Sequence, residues 1–226
     1  RSRRGTVVAI SGFRRSAYFI ITAFADALLR EIDRQIGLID AINDCLPDPR
    51  DQRFTIHEQR EMIAQRIYSI ALGYEVLNDQ HTLRDDPALQ LARGSHRSRM
   101  IRWRHRRTLC RLENRVNHAA LVKMSALFVE RFLAAHDVPP KEIVLDFDAT
   151  NDPVHGQQES HFYQGYYRHY CFLPLYVFCG GHLLWALLRP ANIDGAKHSR
   201  DVTKLLVERI RLAWPDVKIT IRGDGR

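Results

Sequence analysis

The sequence predicts an α/β protein in which an all-α region, residues 1–140, precedes a mixed α/β region, residues 141–226. Apolar residues recur at helical spacing in the first region, whereas β-branched runs that end in carboxylates follow Pro140. The excess of positive charge ends at the same point: residues 1–140 hold 23 Lys+Arg against 16 Asp+Glu, and residues 141–226 hold 11 against 10. A hydrophobic content of 45% is enough to bury a core in 226 residues, which excludes a disordered or fibrous protein.

Three helices of the first region are predicted from an apolar stripe at helical spacing: about 27–42, 56–77 and 117–135. Asp85-Asp86-Pro87 predicts the start of a further short helix, with proline near its first turn. The run Leu46-Pro47-Asp48-Pro49 ends the first of these helices, because proline cannot continue a helix. The most basic segment, Arg93 to Arg115, holds nine arginines against one acid and lies before the last helix.

The second region is predicted to contain strand, strand, strand, helix and strand: 143–148, 171–179, 182–188, 194–214 and 217–224. Gly180-Gly181 indicates a tight hairpin between the second and third strands. The helix lies before the last strand and acts as a crossover connection.

Carboxylates lie at the ends of two of these strands. Asp146 and Asp148 are two residues apart and share one face of the first strand, while Asp224 ends the last strand. Carboxylates side by side at strand ends are hard oxygen ligands, which suit Mg²⁺ or Mn²⁺ and a two-metal reaction on a phosphodiester. The alternative is that these aspartates only terminate strands or cap the next element.

Four long strings carry a resemblance to a known family: LDFDATNDPVHGQQE (145–159), FYQGYYRHYCFLPLYVFCG (162–180), LRPANIDGAKH (188–198) and IRGD (221–224). They look like one branch of the DDE insertion-sequence transposases, and the likeness is looser but recognisable upstream, for example in LLREIDRQIGL (28–38). Residues 1–24 and 94–107 do not share it.

The resemblance implies a partial ribonuclease-H-like catalytic domain over residues 141–226 and Mg²⁺- or Mn²⁺-dependent DNA cleavage and strand transfer at transposon ends. It makes Asp148 the first catalytic, metal-binding carboxylate and Asp224 the second, with Asp146 as a supporting neighbour. The family's third carboxylate is a glutamate further downstream than Arg226, so we expect this chain to be inactive by itself. The alternatives are a DNA-binding remnant that inhibits a full-length transposase, and a structure-specific nuclease of the same fold.

The basic segment predicts contact with DNA. Residues 108–115 resemble the recognition helix of a helix-turn-helix, and the candidate DNA-binding residues are Arg106, Arg107, Arg111, Asn114 and Arg115. Arginine and asparagine suit guanine and adenine edges, and the flanking arginines suit phosphates. The alternative is a solvated basic face. The expected partners are double-stranded DNA (terminal inverted repeats and target), a second copy of the chain by resemblance, and no membrane.

The remaining polar and aromatic residues favour structural roles. The four cysteines form no CxxC pair, and the spacing of Cys171 and Cys179 with the nearby histidines matches no closed zinc site. So few cysteines indicate a reduced, cytoplasmic protein, here one associated with the bacterial nucleoid when bound to DNA. The tyrosines at positions 163, 166, 167 and 170 are interpreted as sheet packing in preference to base stacking.

Overall fold

The computed structural model of the chain describes residues 25, 28–55, 57–79 and 106–223. The short helix predicted near residue 85 and the predicted metal ligand Asp224 lie outside these ranges. By its contacts the chain divides into two compact units, residues 1–121 and 122–226. This division falls inside a helix and earlier than Pro140. The domain boundary at Pro140 stays a prediction.

The first unit is helical. Its helices are α1 (28–36), α2 (Leu38–Cys45), α3 (Gln59–Ala71) and α4 (Arg106–Asn114), and α5 (His118–Ala134) begins in it. Short 3₁₀ turns cover Gln52–Phe54 and Leu77–Asp79. Residues from α2, α3 and α4 form its core: Ile39, Met62, Ile63, Tyr68, Leu109 and Leu112.

The first predicted helix is in fact two helices, because Gly37 adopts a left-handed conformation with φ 60°. Glycine carries no side chain that this conformation would strain. The Asp33 carboxylate then accepts a hydrogen bond of 2.8 Å from the Ile39 amide, which satisfies a donor at the start of α2. The second predicted helix is shorter than expected, since α3 ends before Gly73, which also has a positive φ, 86°.

The second unit is a mixed sheet with helical packing. Its strands are β1 (Glu142–Ala149), β2 (Asp152–Pro153), β3 (Phe162–Gln164), β4 (His169–Phe172), β5 (Leu175–Cys179), β6 (His182–Leu187) and β7 (Lys218–Gly223), with α6 (Ser199–Ala213) before β7. The larger sheet has the order β6-β5-β1-β7. β1 runs antiparallel to β5 and parallel to β7, and α6 makes the crossover that parallel strands require. The fold is α/β, and the described strand order is compatible with part of a ribonuclease-H-like fold.

The core of this unit lies between the larger sheet and two helices. The buried strand residues are Ile143, Leu145, Leu175, Val177, Cys179 and Leu184, and the helices contribute Val129, Phe132, Val202, Leu206 and Ile210. Leu145 and Val177 are 0% exposed, so the central strands are fully covered on this face. The two aspartates of β1 lie on the face opposite this core.

The predicted strand 171–179 is also wrong as a single element. Pro174 separates β4 from β5, and the two strands belong to different sheets. β4 is the centre of a three-stranded sheet of order β2-β4-β3, which the sequence pattern did not indicate. Its flanking strands are two and three residues long, too short to show a period.

Candidate active site

Asp146 and Asp148 lie on the same face of β1, as the alternation of a strand requires. Ile143 and Leu145, on the opposite face, are 5% and 0% exposed and pack in the core. Asp148 is exposed and Asp146 is half-buried. The prediction that the two carboxylates share a face is therefore confirmed for the geometry of the strand.

The two carboxylates differ in their partners. Asp146 lies opposite Arg222 in the parallel pairing of β1 with β7. The Arg222 guanidinium donates to both oxygens of Asp146, with a distance of 2.8 Å from Nη2 to Oδ2. The pair is exposed on the arginine side, where 72% of the side chain is accessible, and more covered on the aspartate side, at 30%. Asp146 thus ties two strands together and its charge is balanced.

Asp148, in contrast, has no side-chain hydrogen bond or ion pair among the residues that the structure describes. Asp148 lines a cleft of about 580 Å³ at the carboxyl end of β1, together with its neighbours Phe147 and Ala149. The cleft is lined by the end of β1, the β3–β4 turn, the start of α6 and the end of β7; its polar members besides Asp148 are Thr150, Asn151, Gln164, Ser199 and Thr203. Ligand sites of α/β sheets lie at this position, outside the carboxyl ends of strands.

The second predicted carboxylate, Asp224, lies outside the described residues, but the strand that leads to it is described. Gly223, the last residue of β7, is the register partner of Phe147, the residue before Asp148. A metal site made of Asp148 and Asp224 requires this parallel register. Among the described residues no group of three or more His, Cys, Asp or Glu side chains could hold a metal ion. The oxygen donors that line the cleft are the unpaired carboxylate of Asp148 and several hydroxyl and amide groups. Oxygen donors of this kind fit a hard divalent cation.

One wall of the cleft is held by Arg189, a residue that the sequence analysis did not single out. Arg189 is 2% exposed, and its guanidinium donates to the carbonyl oxygens of Leu173 (2.8 Å), Gly195 (3.1 Å) and Lys197 (2.5 Å). Leu173 and Gly195 both line the cleft. Burial lowers the pKa of Arg189 below its usual value, and nearby Asp194 opposes that shift. The only signal in the sequence is an arginine that directly follows an apolar strand.

The candidate DNA-binding residues of the helical unit fall into two groups. Leu109 and Leu112 bury one face of α4, and Arg107, Arg111 and Asn114, spaced by four and three residues, are exposed on the helix. Arg106 and Arg115 have partners elsewhere in the unit: Arg106 donates 2.6 Å to the Asn78 side chain, and Arg115 pairs with Asp48 and donates to Gln59. Asn114 donates to the Cys110 sulfur of its own helix at 3.2 Å.

Arg115 is therefore a packing residue as well as a candidate for DNA contact. Only 21% of its side chain is exposed, and Asp48 at 3.2 Å is 17% exposed. Asp48 also accepts from Arg50, which holds the pKa of this carboxyl well below its usual range against the opposing effect of burial. A residue that contacts DNA is expected to be exposed, as Arg111 is. Less than a quarter of the Arg115 side chain is accessible to solvent.

The cysteines of the second unit are part of its packing. Cys171 is 0% exposed, and Cys179 is 9% exposed. Burial raises the pKa of both thiols, with smaller contributions from Asp152 and Asp146 respectively. A raised pKa keeps a thiol protonated near neutral pH, where it is a poor metal ligand.

Within the described part of the chain, no helix is long and apolar enough to cross a membrane.

Comparisons with known proteins identify the family. No curated protein and no solved structure matches the chain. The profile of one family, described as transposase DDE domain group 1, matches residues 26–226. This match covers most of the chain, including β1, its two aspartates, the cleft and β7, so the chain belongs to the transposase DDE domain group 1 family.

Proposed function

We propose that the second unit carries the first two carboxylates of a transposase active site, Asp148 and Asp224, for cleavage and strand transfer at transposon ends. The observation that supports this most directly is the parallel register of β1 and β7. Phe147 pairs with Gly223, and each of these residues comes immediately before one of the two aspartates. Matched positions at the carboxyl ends of neighbouring parallel strands would bring both carboxylates to one edge of the sheet.

The different partners of the two β1 aspartates support the assignment of roles. Asp148 has no side-chain partner among the described residues and lines the cleft, so it is the member of the pair that would bind a cation. Asp146 is neutralised by Arg222 and would support the strand pair rather than bind metal. A bound Mg²⁺ or Mn²⁺ would supply electrophilic activation of the phosphodiester. The cleft hydroxyl of Ser199 would orient the phosphate, whereas the Thr203 hydroxyl donates to the Ser199 carbonyl at 2.7 Å.

The helical unit would hold the DNA. The exposed stripe of α4, residues Arg107, Arg111 and Asn114, offers donors for phosphates and base edges on a helix whose other face is packed. Double-stranded DNA with terminal inverted repeats and a target duplex are the proposed partners. A dimer on two ends and a cytoplasmic, nucleoid-bound location are part of the same proposal.

The test is a nicking assay with Mg²⁺ on a duplex that carries the element's inverted repeat, combined with a Mn²⁺ titration of the protein alone. The chain is compared with Asp148→Asn and with the control Asp216→Asn, an exposed aspartate before the other end of β7. We expect Asp148→Asn to weaken Mn²⁺ binding at least tenfold and Asp216→Asn to leave it unchanged. Any nicking by the parent chain should be lost in Asp148→Asn and kept in Asp216→Asn.

Other outcomes separate the alternatives. Nicking that persists in Asp148→Asn would show that the reaction does not use this cleft. Repeat-specific binding without nicking by any variant would identify a non-catalytic DNA-binding protein. Nicking of branched duplexes that lack the repeat, at the same rate, would identify a structure-specific nuclease.

A further inference from the structure

The β3–β4 hairpin exposes aromatic rings beside the cleft. Tyr163, Tyr166 and Tyr170 are 55%, 70% and 54% exposed, although packing in a sheet was expected for them. Tyr166 and its neighbour Tyr167 line the same cleft as Asp148. Rings that are exposed together beside a cleft form a surface that can contact a ligand.

The rings on the sheet form one surface. Tyr163 and Tyr170 are register partners on neighbouring strands, so they share a face, and their ring centroids are 5.6 Å apart. The His161 ring extends this surface, with its centroid 5.2 Å from that of Tyr170. We call His161, Tyr163 and Tyr170 the aromatic face; Tyr166 lies in the turn of the same hairpin.

The hairpin that carries these rings is fixed in place. On its opposite face Cys171 is fully buried against Leu173 and Ala191. The side chain of Gln164 donates a 2.8 Å hydrogen bond to the Ala191 carbonyl, which ties β3 to the loop after β6. The His169 ring is bonded to Asn151, three residues after Asp148, at 2.9 Å. The rings are therefore presented on a preorganised support, which reduces the entropy lost on binding.

The exposed rings indicate the class of partner. Residues 160–172 contain Arg168 and two histidines, while Asp152 lies on β2 of the same small sheet and Glu159 directly precedes this segment, so the net charge does not select a partner. Exposed stacking rings are a feature that binds single-stranded nucleic acid, since each base offers a π-face. In a regular duplex the faces of the bases are covered by their neighbours, so this surface fits unpaired nucleotides.

We propose that Tyr166 and the aromatic face stack on unpaired bases of the DNA strand whose phosphodiester lies at Asp148. The substrate class is thus a transposon end with unpaired nucleotides next to the bond that is cut. The position of the phosphodiester rests on the proposed function; the stacking site itself does not, because it is defined by the exposed rings of the hairpin.

The experiment measures binding without metal, so that it does not depend on cleavage. Anisotropy titrations of the full chain use a labelled oligothymidine and a blunt duplex. The variants are Tyr166→Ala, Tyr166→Phe and Tyr163→Ala/Tyr170→Ala, and the control is Phe54→Ala, an 81% exposed ring in the helical unit. Loss of a stacked ring weakens binding by roughly five- to a hundredfold.

We expect oligothymidine affinity to fall about tenfold in Tyr166→Ala and in the double variant, and to be retained in Tyr166→Phe and Phe54→Ala. Duplex affinity should not change in any of them. A single 2-aminopurine in the oligonucleotide should lose its fluorescence quenching in Tyr166→Ala but not in Tyr166→Phe. Unchanged oligothymidine binding in both alanine variants would overturn the proposal. So would alanine variants that lose self-association of the chain while their DNA affinity stays the same. Stacking without nicking would refute only the proposed enzyme activity.

Discussion

Replacement of Arg189 by methionine removes every hydrogen bond that its guanidinium donates while a side chain of similar length still fills the space. Two of the three acceptors, the carbonyls of Gly195 and Lys197, belong to a loop that is partly or fully exposed, so water can replace the lost donor. The third acceptor, the carbonyl of Leu173, belongs to a residue that is 3% exposed. Its lost partner leaves a buried acceptor unsatisfied.

The magnitude follows from these environments. An unsatisfied buried carbonyl costs about 1–3 kcal/mol, and each rehydrated hydrogen bond costs about 0.5–1.5 kcal/mol. The loss is partly offset because the variant no longer buries a charge, and Arg189 has no carboxylate within ion-pair distance among the described residues. We therefore expect a net loss of about 2–4 kcal/mol in the free energy of unfolding of the second unit.

The assay is urea unfolding followed by tryptophan fluorescence, to which Trp185 and Trp214 of this unit contribute. With a slope of about 2 kcal/mol per M, the expected shift of the midpoint is about 1–2 M. Arg200→Met, at an exposed position, is the matched control and should stay within about 0.5 kcal/mol of the parent. An Arg189→Met variant as stable as that control would refute the reasoning, because it would mean that the loop does not depend on the guanidinium.

Three further predictions concern charged residues. Asp48→Asn should destabilise the helical unit near neutral pH. Because Arg50 lowers the pKa of Asp48, the contribution of this carboxylate to stability is present above about pH 4 and is lost as the pH falls through the lowered pKa. The urea midpoints of parent and variant should therefore converge in strong acid. Arg111→Ala should change stability by less than about 0.5 kcal/mol but reduce by about 1 the slope of log affinity for DNA against log salt. Arg222→Ala should cost at most about 1 kcal/mol of stability, since the pair is largely exposed. In a Mn²⁺ titration it should bind the cation no more weakly than the parent, because it removes a positive charge and leaves the Asp146 carboxylate unpaired.

The long helices and strands, whose apolar residues repeat several times, could be predicted from the sequence. The eight-residue strand β1 alternates between core and surface, and the 15-residue helix α6 carries a regular apolar stripe, so both were placed to within a few residues. The small sheet was missed because its strands are two to four residues long. Only Cys171 and Phe172 of this sheet were assigned to a strand, the predicted strand 171–179 that would have continued through Pro174.

The positions of the site's side chains could be predicted only where the local geometry of a strand decides them. The shared face of Asp146 and Asp148 follows from strand geometry, and could be predicted. That Arg222 neutralises Asp146 depends on the register of a strand 76 residues away, which no local pattern contains. Arg115 and Arg111 look alike in the sequence, and only the partner Asp48, 67 residues earlier in the chain, separates a packed arginine from an exposed one.

The parallel pairing of β1 with β7 has a consequence for the order in which the protein folds. The hairpin of β5 and β6 closes over two glycines, whereas the Asp146–Arg222 contact closes a loop of 76 residues, at an entropic cost of roughly 4 kcal/mol before the constant term. We expect β7 to dock late, after α6 has packed against the sheet. Until it does, the outer edge of β1 has unpaired amides and carbonyls and can pair with other chains. The edge that carries the candidate carboxylates is then the last part of the described sheet to be protected during synthesis, when aggregation competes most strongly with folding.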